Sequence, residues 1–440
     1  MTEAWRVFAR LSLMLMVATW GLGEASVEAH SPKGAKPASR PAPPCPAWDK
    51  QSCDAWKACQ NSSGDSCAEV GHLYERGQGM KRNLFQARRF YLKACRLNSG
   101  QGCTHLSHMY QFGHGVQKNY TLAYNLAQKA CTLKFGAGCN SQGAFYFFGY
   151  GVPKSILKAK ELALQACSYG YGKGCRNVGW LHDKGKGVAV DHKKAASYYK
   201  KACDLQYGRA CTDLAALYET GQGVKKDAKT ATMYHRKGFD YSRQACSKDE
   251  RYGCYNMAIT YAAGKGGVIR NNLRANHYYQ KACSLDHGLS CYRLGSNYVA
   301  GRGAIRDYVR ARRSFKKACV LHHAKSCLRA GLLFQSGKGG KKDVSEAQVL
   351  FQHSCNLKHG PGCTNLGHIF ASGSGTRKDL GDALYFFKLA CSFKDKQGCL
   401  QAGHFYANGW GTTKNCEKAD SHYLTACKKG LKAACKMTCR

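Results

Sequence analysis

Proline is nearly absent beyond residue 48: six of the eight prolines stand in residues 31–48, and only Pro153 and Pro361 follow. Such a scarcity removes the usual obstacle to continuous helix. Acidic residues are few as well, 27 against 67 Lys and Arg, which gives a formal net charge of +40. That imbalance excludes an electrostatically neutral surface and implies attraction to anionic partners such as acidic lipid surfaces, cell-wall polymers or glycans. Nucleic acid is the least expected of these, because no recognition motif is present. Long apolar runs are missing too, and the stretch from Leu11 to Trp20 is too short to span a membrane comfortably. The regularly recurring Cys pairs lack the short C-x2-4-C ligand spacing, and His72, His108, His368 and His404 recur at one repeat position as polar surface residues, so no metal or other cofactor is expected.

Cysteine, by contrast, is abundant. An even count of 26 in 440 residues points to disulfides and an oxidising compartment. The N-terminus supplies a matching address: Arg6 and Arg10 precede the apolar stretch, and small residues follow up to Ala29. Residues 1–29 therefore read as a secretory signal peptide cleaved after Ala29, or after Ala25, and without cleavage the same stretch would anchor the chain. Residues 30–48 read as a proline-rich tether. The folded part, 49–440, is longer than one compact core usually grows, which leaves several domains or a repeat array.

The cysteines decide for the array. Eleven pairs recur every 36 or so residues, each with seven residues between its members. They are Cys59 with Cys67, Cys95 with Cys103, Cys131 with Cys139, Cys167 with Cys175, Cys203 with Cys211 and Cys246 with Cys254. Cys283 with Cys291, Cys319 with Cys327, Cys355 with Cys363, Cys391 with Cys399 and Cys427 with Cys435 complete the series. Counting from the second Cys, the fourth following residue is small in ten units, and the seventh is aromatic in nine of them, from Tyr74 to Tyr406, with His182 the exception. Positions three apart share a helix face. We call this segment helix A.

A Gly-x-Gly closes helix A each time, from Gly77-Gln78-Gly79 to Gly409-Trp410-Gly411. A single copy could suggest a phosphate cradle, but ten copies placed after a helix are turn chemistry. Helix B follows, often with a Lys before its terminal Cys, as at Lys93 and Lys201. Each Cys pair thus joins the end of one hairpin to the start of the next, contributing roughly 2.5 kcal/mol per bridge in the chain-entropy model. The interval from Cys203 to Cys246 carries seven extra residues, nearly two helical turns, so helix B either lengthens there or breaks at Gly238. Four cysteines lie outside the pattern. With the ends of a straight stack on the order of 100 Å apart, the reachable pairings are Cys45–Cys53 and Cys416–Cys439.

The unit A-C-x7-C-x3-G-x2-Y-x2-G-x-G, with a second helix ending Lys-Ala-Cys, resembles the Sel-like repeats in their disulfide-bridged form, the Helicobacter cysteine-rich protein family. It covers Cys59 to Cys435. The resemblance implies an all-α fold, a right-handed α/α solenoid of about ten hairpins of the tetratricopeptide kind, exported to the periplasm or beyond and acting as a monomer. Some members carry a β-lactamase or penicillin-binding label, and others look like adaptors. Serine β-lactamase chemistry needs Ser-x-x-Lys, Ser-Asp-Asn and Lys-Thr-Gly elements. Only the first occurs, at Ser155–Lys158, Ser197–Lys200 and Ser314–Lys317.

Arrays of this kind work through a concave surface lined by helix A. Its variable positions include the second residue after the second Cys, occupied among others by Asn177, Asn256 and Asn365. Lys173 with Asn177 is similar to the Lys/Asn carboxylate clamp of tetratricopeptide domains. These four residues are the binding candidates, and a protein, a peptide or an anionic envelope polymer is the expected partner. A penicillin-binding protein with weak β-lactam hydrolysis is the alternative. The Lys and Arg of helix B and the turns, such as Lys225 and Lys226 or Lys341 and Lys342, read as a dispersed basic coat.

Overall fold

The computed structural model of the chain describes residues 49–78 and 81–439. The expected signal peptide, the tether and Cys45, with its pairing to Cys53, lie outside these residues. Among the described residues every regular element is helical. Helix α1 (Lys50–Gln60) precedes ten hairpins, of which the first five are α2/α3 (Gly64–Arg76, Leu84–Arg96), α4/α5 (Gly100–Phe112, Tyr120–Thr132), α6/α7 (Gly136–Phe148, Ile156–Ser168), α8/α9 (Gly172–Lys184, His192–Asp204) and α10/α11 (Gly208–Thr220, Ala228–Ser247). The rest are α12/α13 (Arg251–Ala263, Asn272–Ser284), α14/α15 (Gly288–Ala300, Tyr308–Val320), α16/α17 (Ala324–Ser336, Val344–Asn356), α18/α19 (Gly360–Ser372, Leu380–Ser392) and α20/α21 (Lys396–Asn408, Cys416–Lys428). Even numbers are A helices and odd numbers are B helices.

Local chemistry sets the boundaries. Each A helix stops on a glycine in the left-handed region, as at Gly113 with φ +72°, whose N–H donates to the Met109 carbonyl. The second glycine of the turn serves a different purpose. A Cβ on Gly223 would lie 2.2 Å from the His192 carbonyl carbon, so this turn can cross the start of the preceding B helix only without a side chain. Every B helix then opens on Asn, Asp or Ser whose side chain accepts from the first turn. Asp227, for example, takes the N–H groups of Lys229 and Thr230 at 2.9 and 3.2 Å.

Packing within a hairpin uses the small residue of helix A as a seat for a ring from helix B. A Cβ added to Gly331 would fall 2.5 Å from the Phe351 ring, and one on Gly71 would fall 2.7 Å from Tyr91. Those seated rings are among the most deeply buried of the described residues: Tyr91, Tyr199, Phe315, Phe351 and Phe387 are essentially inaccessible. The aromatic three residues further along helix A lies shallower and stacks on a second B-helix ring, as Tyr74 does on Phe90 and Phe370 does on Phe386.

Eleven disulfides join successive helical layers, each between partners eight residues apart. Cys59 is bonded to Cys67, Cys95 to Cys103, Cys131 to Cys139, Cys167 to Cys175, Cys203 to Cys211 and Cys246 to Cys254. Further along, Cys283 is bonded to Cys291, Cys319 to Cys327, Cys355 to Cys363, Cys391 to Cys399 and Cys427 to Cys435. Their Cα separations run from 4.4 to 4.8 Å, within the range a disulfide spans. The first Cys of a pair sits in the last turn of one helix, a B helix for every pair after the first, and the second sits in the first turn of the next A helix. Cys103, Cys139, Cys175, Cys211, Cys254, Cys291, Cys327, Cys363 and Cys399 are all fully buried there, so each bridge is part of the core as well as a staple. For the last pair, Cys435 lies instead in the 3-10 turn Lys432–Lys436 and is exposed. Cys416 is bonded to Cys439, which closes the C-terminal end over Tyr406 and Tyr423. Disulfides in this number belong to an oxidising, non-cytoplasmic compartment. Among the described residues, no helix is long and apolar enough to cross a membrane.

The long interval is absorbed by α11, which runs unbroken for 20 residues. Gly238 remains inside it because the helix passes so close to α10 that a Cβ there would lie 2.8 Å from the Gly208 carbonyl oxygen. A break at Gly238 is not what the chain adopts.

Neighbouring A helices also touch one another, as α2 with α4 and α18 with α20, whereas B helices mostly splay apart. The array therefore curves with its A helices inside. That curvature brings distant hairpins together: Arg82 bonds Asp286 at 2.8 Å across 204 residues, and His322 meets the Phe112 carbonyl at 2.7 Å across 210. A straight stack is not what forms, because a small rotation per hairpin accumulates until one turn of the superhelix meets the next.

Candidate binding surface

Two cavities open on the inner, A-helix side. The first, about 240 Å³, lies where hairpin α2/α3 and helix α4 face the start of α12 and the end of α13. Histidines 72, 105, 108 and 114 contribute to its walls, with Arg76, Arg251 and Glu75 among them. Glu75 accepts a 2.6 Å hydrogen bond from the Tyr91 hydroxyl and lies 3.7 Å from His105. His105 in turn stacks on the Tyr91 ring at 4.8 Å. Burial opposes charge on Glu75, yet His105 and Tyr91 outweigh it and hold the carboxyl below its usual range.

Burial acts the other way on the imidazoles. It is the largest influence on His72, with Arg76 and His105 next, and together they bring its pKa down to about 4. His105 and His108 are also lowered, first by burial and with Arg251 adding to it. His287, nearby at the start of α14, is held at about 4 by burial, Arg251 and Lys173. Burial thus favours the neutral form of each ring, and His105 lends charge to Glu75 only when protonated. Of the four histidines at the repeat position read as surface, His72 and His108 are drawn into this cavity by the superhelical turn, whereas His368 is exposed.

Each carboxylate in this cavity is answered. Glu75 has Tyr91, Asp249 has Lys281 at 3.0 Å, and Asp286 has Arg82 and Lys317 at 2.8 and 3.2 Å. The guanidinium of Arg76 donates only a 3.4 Å bond to the Lys248 carbonyl. That of Arg251 lies 5.7 Å from the Tyr252 ring. Neither forms an ion pair with a carboxylate among the described residues; Glu75, which Arg251 influences through space, is the one carboxylate of the cavity without a Lys or Arg ion-pair partner, so two guanidiniums share a single carboxylate.

The second cavity, also about 240 Å³, is mainly apolar and lies between α6, α7 and α8. Phe147, Phe148 and Trp180 form its rim, with Phe147 edge-on to Trp180 at 5.9 Å. Asn177 belongs to this cavity, and its amide donates to Asn140 at 2.7 Å. Beside it, Arg176 bonds Asp213 at 2.7 Å, so side chains here link one A helix to the next.

The four binding candidates are not brought together. Lys173 lies four residues before Asn177 but points elsewhere: its ammonium sits 4.8 Å from the centre of the Tyr252 ring, where a cation–π contact holds it. Burial disfavours the charge on Lys173, but the phenols of Tyr252, Tyr171 and Tyr207 outweigh that and raise its pKa. Asn365 donates to the Pro361 carbonyl within its own helix, and Asn256 stands on α12. The residues that sequence reading missed, Arg76 and Arg251, carry no signal in a linear pattern, because their juxtaposition depends on the superhelical turn.

Serines of the Ser-x-x-Lys segments have structural surroundings. Ser155 caps α7 and accepts from the Lys158 N–H at 3.3 Å, Ser314 donates to the Arg310 carbonyl at 2.8 Å, and Ser197 is exposed on α9. Among the described residues, no group of three or more His, Cys, Asp or Glu is arranged to hold a metal ion.

Comparison with known proteins finds the Sel1 repeat model matching ten segments, 64–99, 100–135, 139–171, 172–207, 208–249, 251–287, 288–320, 324–359, 360–392 and 396–431. No curated protein matches the chain. Among solved structures, Helicobacter pylori cysteine rich protein B is 30% identical over 93% of its own chain and 30% of this one, with a TM-score of 0.26. A Sel1 repeat protein from Oxalobacter formigenes is 18% identical over 88% of its chain and 71% of this one, with a TM-score of 0.46. The protective antigen c5321 of uropathogenic Escherichia coli is 18% identical over 91% of its chain and 88% of this one, with a TM-score of 0.36. Ten tandem matches cover most of the chain, which belongs to the Sel1 repeat family.

Proposed function

We propose that this protein is an exported scaffold that holds a protein or peptide partner along its inner A-helix face. The observation that carries the reading is the pair Arg76 and Arg251, two guanidiniums without ion pairs facing a cavity in which Glu75 is the one carboxylate not paired to a Lys or Arg. Two guanidiniums set against one carboxylate leave a surplus of positive charge in a half-buried site, which an anionic group of a ligand would complete. Phe147 and Trp180 add an apolar slot on the same face, suited to an aromatic or aliphatic side chain. A partner with an acidic group and an apolar anchor fits both. Export is part of the proposal and rests on the expected signal peptide and on the disulfides.

The test is affinity capture from envelope extract with the oxidised protein and with an Arg251→Ser/Trp180→Ala variant. A partner retained by the parent and lost, by at least about tenfold in affinity, from the variant supports the reading. A partner held equally by both places binding elsewhere.

A further inference from the structure

The turn of the eighth hairpin departs from its neighbours in a way that creates a site. The residue after the Gly-x-Gly is Val116, Val152 or Val224 in hairpins two, three and five, and each of these packs against the core of its hairpin. In the eighth hairpin, α16/α17, that residue is Gly340, with φ +143°. The room left by the missing side chain is taken by Arg312 from α15. A Cβ on Gly340 would lie 2.5 Å from an Arg312 terminal nitrogen. The guanidinium sits 3.4 Å from the centre of the Phe334 ring and donates to the Lys341 carbonyl at 3.1 Å, while its buried Nε has no hydrogen-bond partner.

Around it lies an open groove of about 840 Å³, framed by α15 and α17, the two B helices that approach each other most closely. Arg312, Arg313, Lys316, Lys341 and Lys342 line this groove. Its acidic groups are in use: Asp343 caps α17 by accepting from the Glu346 N–H at 2.9 Å, and Glu346 neutralises Lys316 at 2.8 Å. Four cations therefore remain without carboxylate partners among the described residues. Val309, Val344 and Phe334 supply apolar wall between them.

We infer that this groove binds a linear anionic glycan, its sulfate or carboxylate groups held by the four cations without carboxylate partners and the C–H faces of its sugar rings laid against Val309 and Val344. A row of fixed cations on a low-dielectric wall concentrates a polyanion by releasing its condensed counter-ions. The oxidising compartment implied by the disulfides favours such a polymer over nucleic acid. The site faces away from the inner cavities and does not depend on them.

The chain carries its own control. Lys225-Lys226-Asp227 in the fifth hairpin occupies the same repeat positions as Lys341-Lys342-Asp343, but Val224 replaces Gly340, and Ala196 and Ser197 stand where Arg312 and Arg313 do. The experiment measures binding of a labelled heparin-derived octasaccharide to the oxidised full chain by fluorescence anisotropy, in about 0.15 M salt where screening acts over about 8 Å. Lys341→Ser/Lys342→Ser, and separately Arg313→Gln, are expected to weaken binding about fivefold or more, and Lys225→Ser/Lys226→Ser by less than about twofold. All four lysines are exposed, and circular dichroism checks that each variant folds. Equal losses from the two lysine pairs would overturn the site in favour of dispersed charge. A single-stranded DNA of matched charge, bound as tightly as the octasaccharide and equally sensitive to the groove variants, would overturn the assignment to a glycan.

Discussion

Arg82 and Asp286 are joined at 2.8 Å although 204 residues separate them, so hairpin α2/α3 is tied to the turn after α13. Asp286 also bonds Lys317, which makes Arg82 the member specific to this clasp. Arg82→Gln should therefore leave stability nearly unchanged, by about 0.5 kcal/mol or less because the Arg side chain is 45% exposed. Its effect should instead be on shape. Small-angle scattering should show an increased radius of gyration at unchanged helix content.

Acid should weaken the fold in a defined window. His72 and His287 both fall to about 4 in the folded chain, against 6.5 when exposed, and His105 and His108 are lowered as well. Groups held neutral in the folded state bind more protons when unfolded, so stability is highest above about 6.5 and is lost as pH falls toward about 4. The charges facing these rings, Arg76, Arg251 and Lys173, act in the same direction, and Glu75 opposes them. Urea unfolding at several pH values in this interval should show a falling midpoint. His72→Gln should flatten that fall.

Packing at the seat of the B-helix ring allows no added volume. Gly331→Val should destabilise the array by about 2 kcal/mol, since even a Cβ would lie 2.5 Å from Phe351 and the ring has nowhere to retreat. The thermal midpoint should fall accordingly. An unchanged midpoint would mean that α16 and α17 can separate without cost.

Helix B should depend on its cap. Asp307→Ala removes the acceptor of the Arg310 N–H, bonded at 2.8 Å, and should cost about 1 kcal/mol. Hydrogen exchange should report this first in α15, because hairpins in such an array open as neighbours rather than as one body.

Much of this architecture is legible from spacing. The Cys pairs mark each junction between hairpins, and the glycines mark the end of each A helix, because disulfide geometry and left-handed backbone both restrict which residues serve. The caps of the B helices are equally readable, since Asn, Asp or Ser precedes every one, as at Asn83, Ser155 and Asp191. The inner cavities are not. Arg76 and Arg251 meet only after a small rotation has been repeated through several hairpins, and no local pattern encodes that sum. Lys173 shows the converse: its spacing from Asn177 suggests a clamp, but Tyr252 from a hairpin two units away takes its ammonium.

Site-specific photo-crosslinking compares the two sides of the array most directly. A photoreactive residue placed at Trp180 on the inner face, and in a second protein at Leu157 on α7, which is 58% exposed, is irradiated in envelope extract. Binding along the A helices requires a discrete adduct from position 180 that disappears when Arg251→Ser is added, and none from position 157. Adducts of equal yield from both positions, or from position 157 alone, would contradict it.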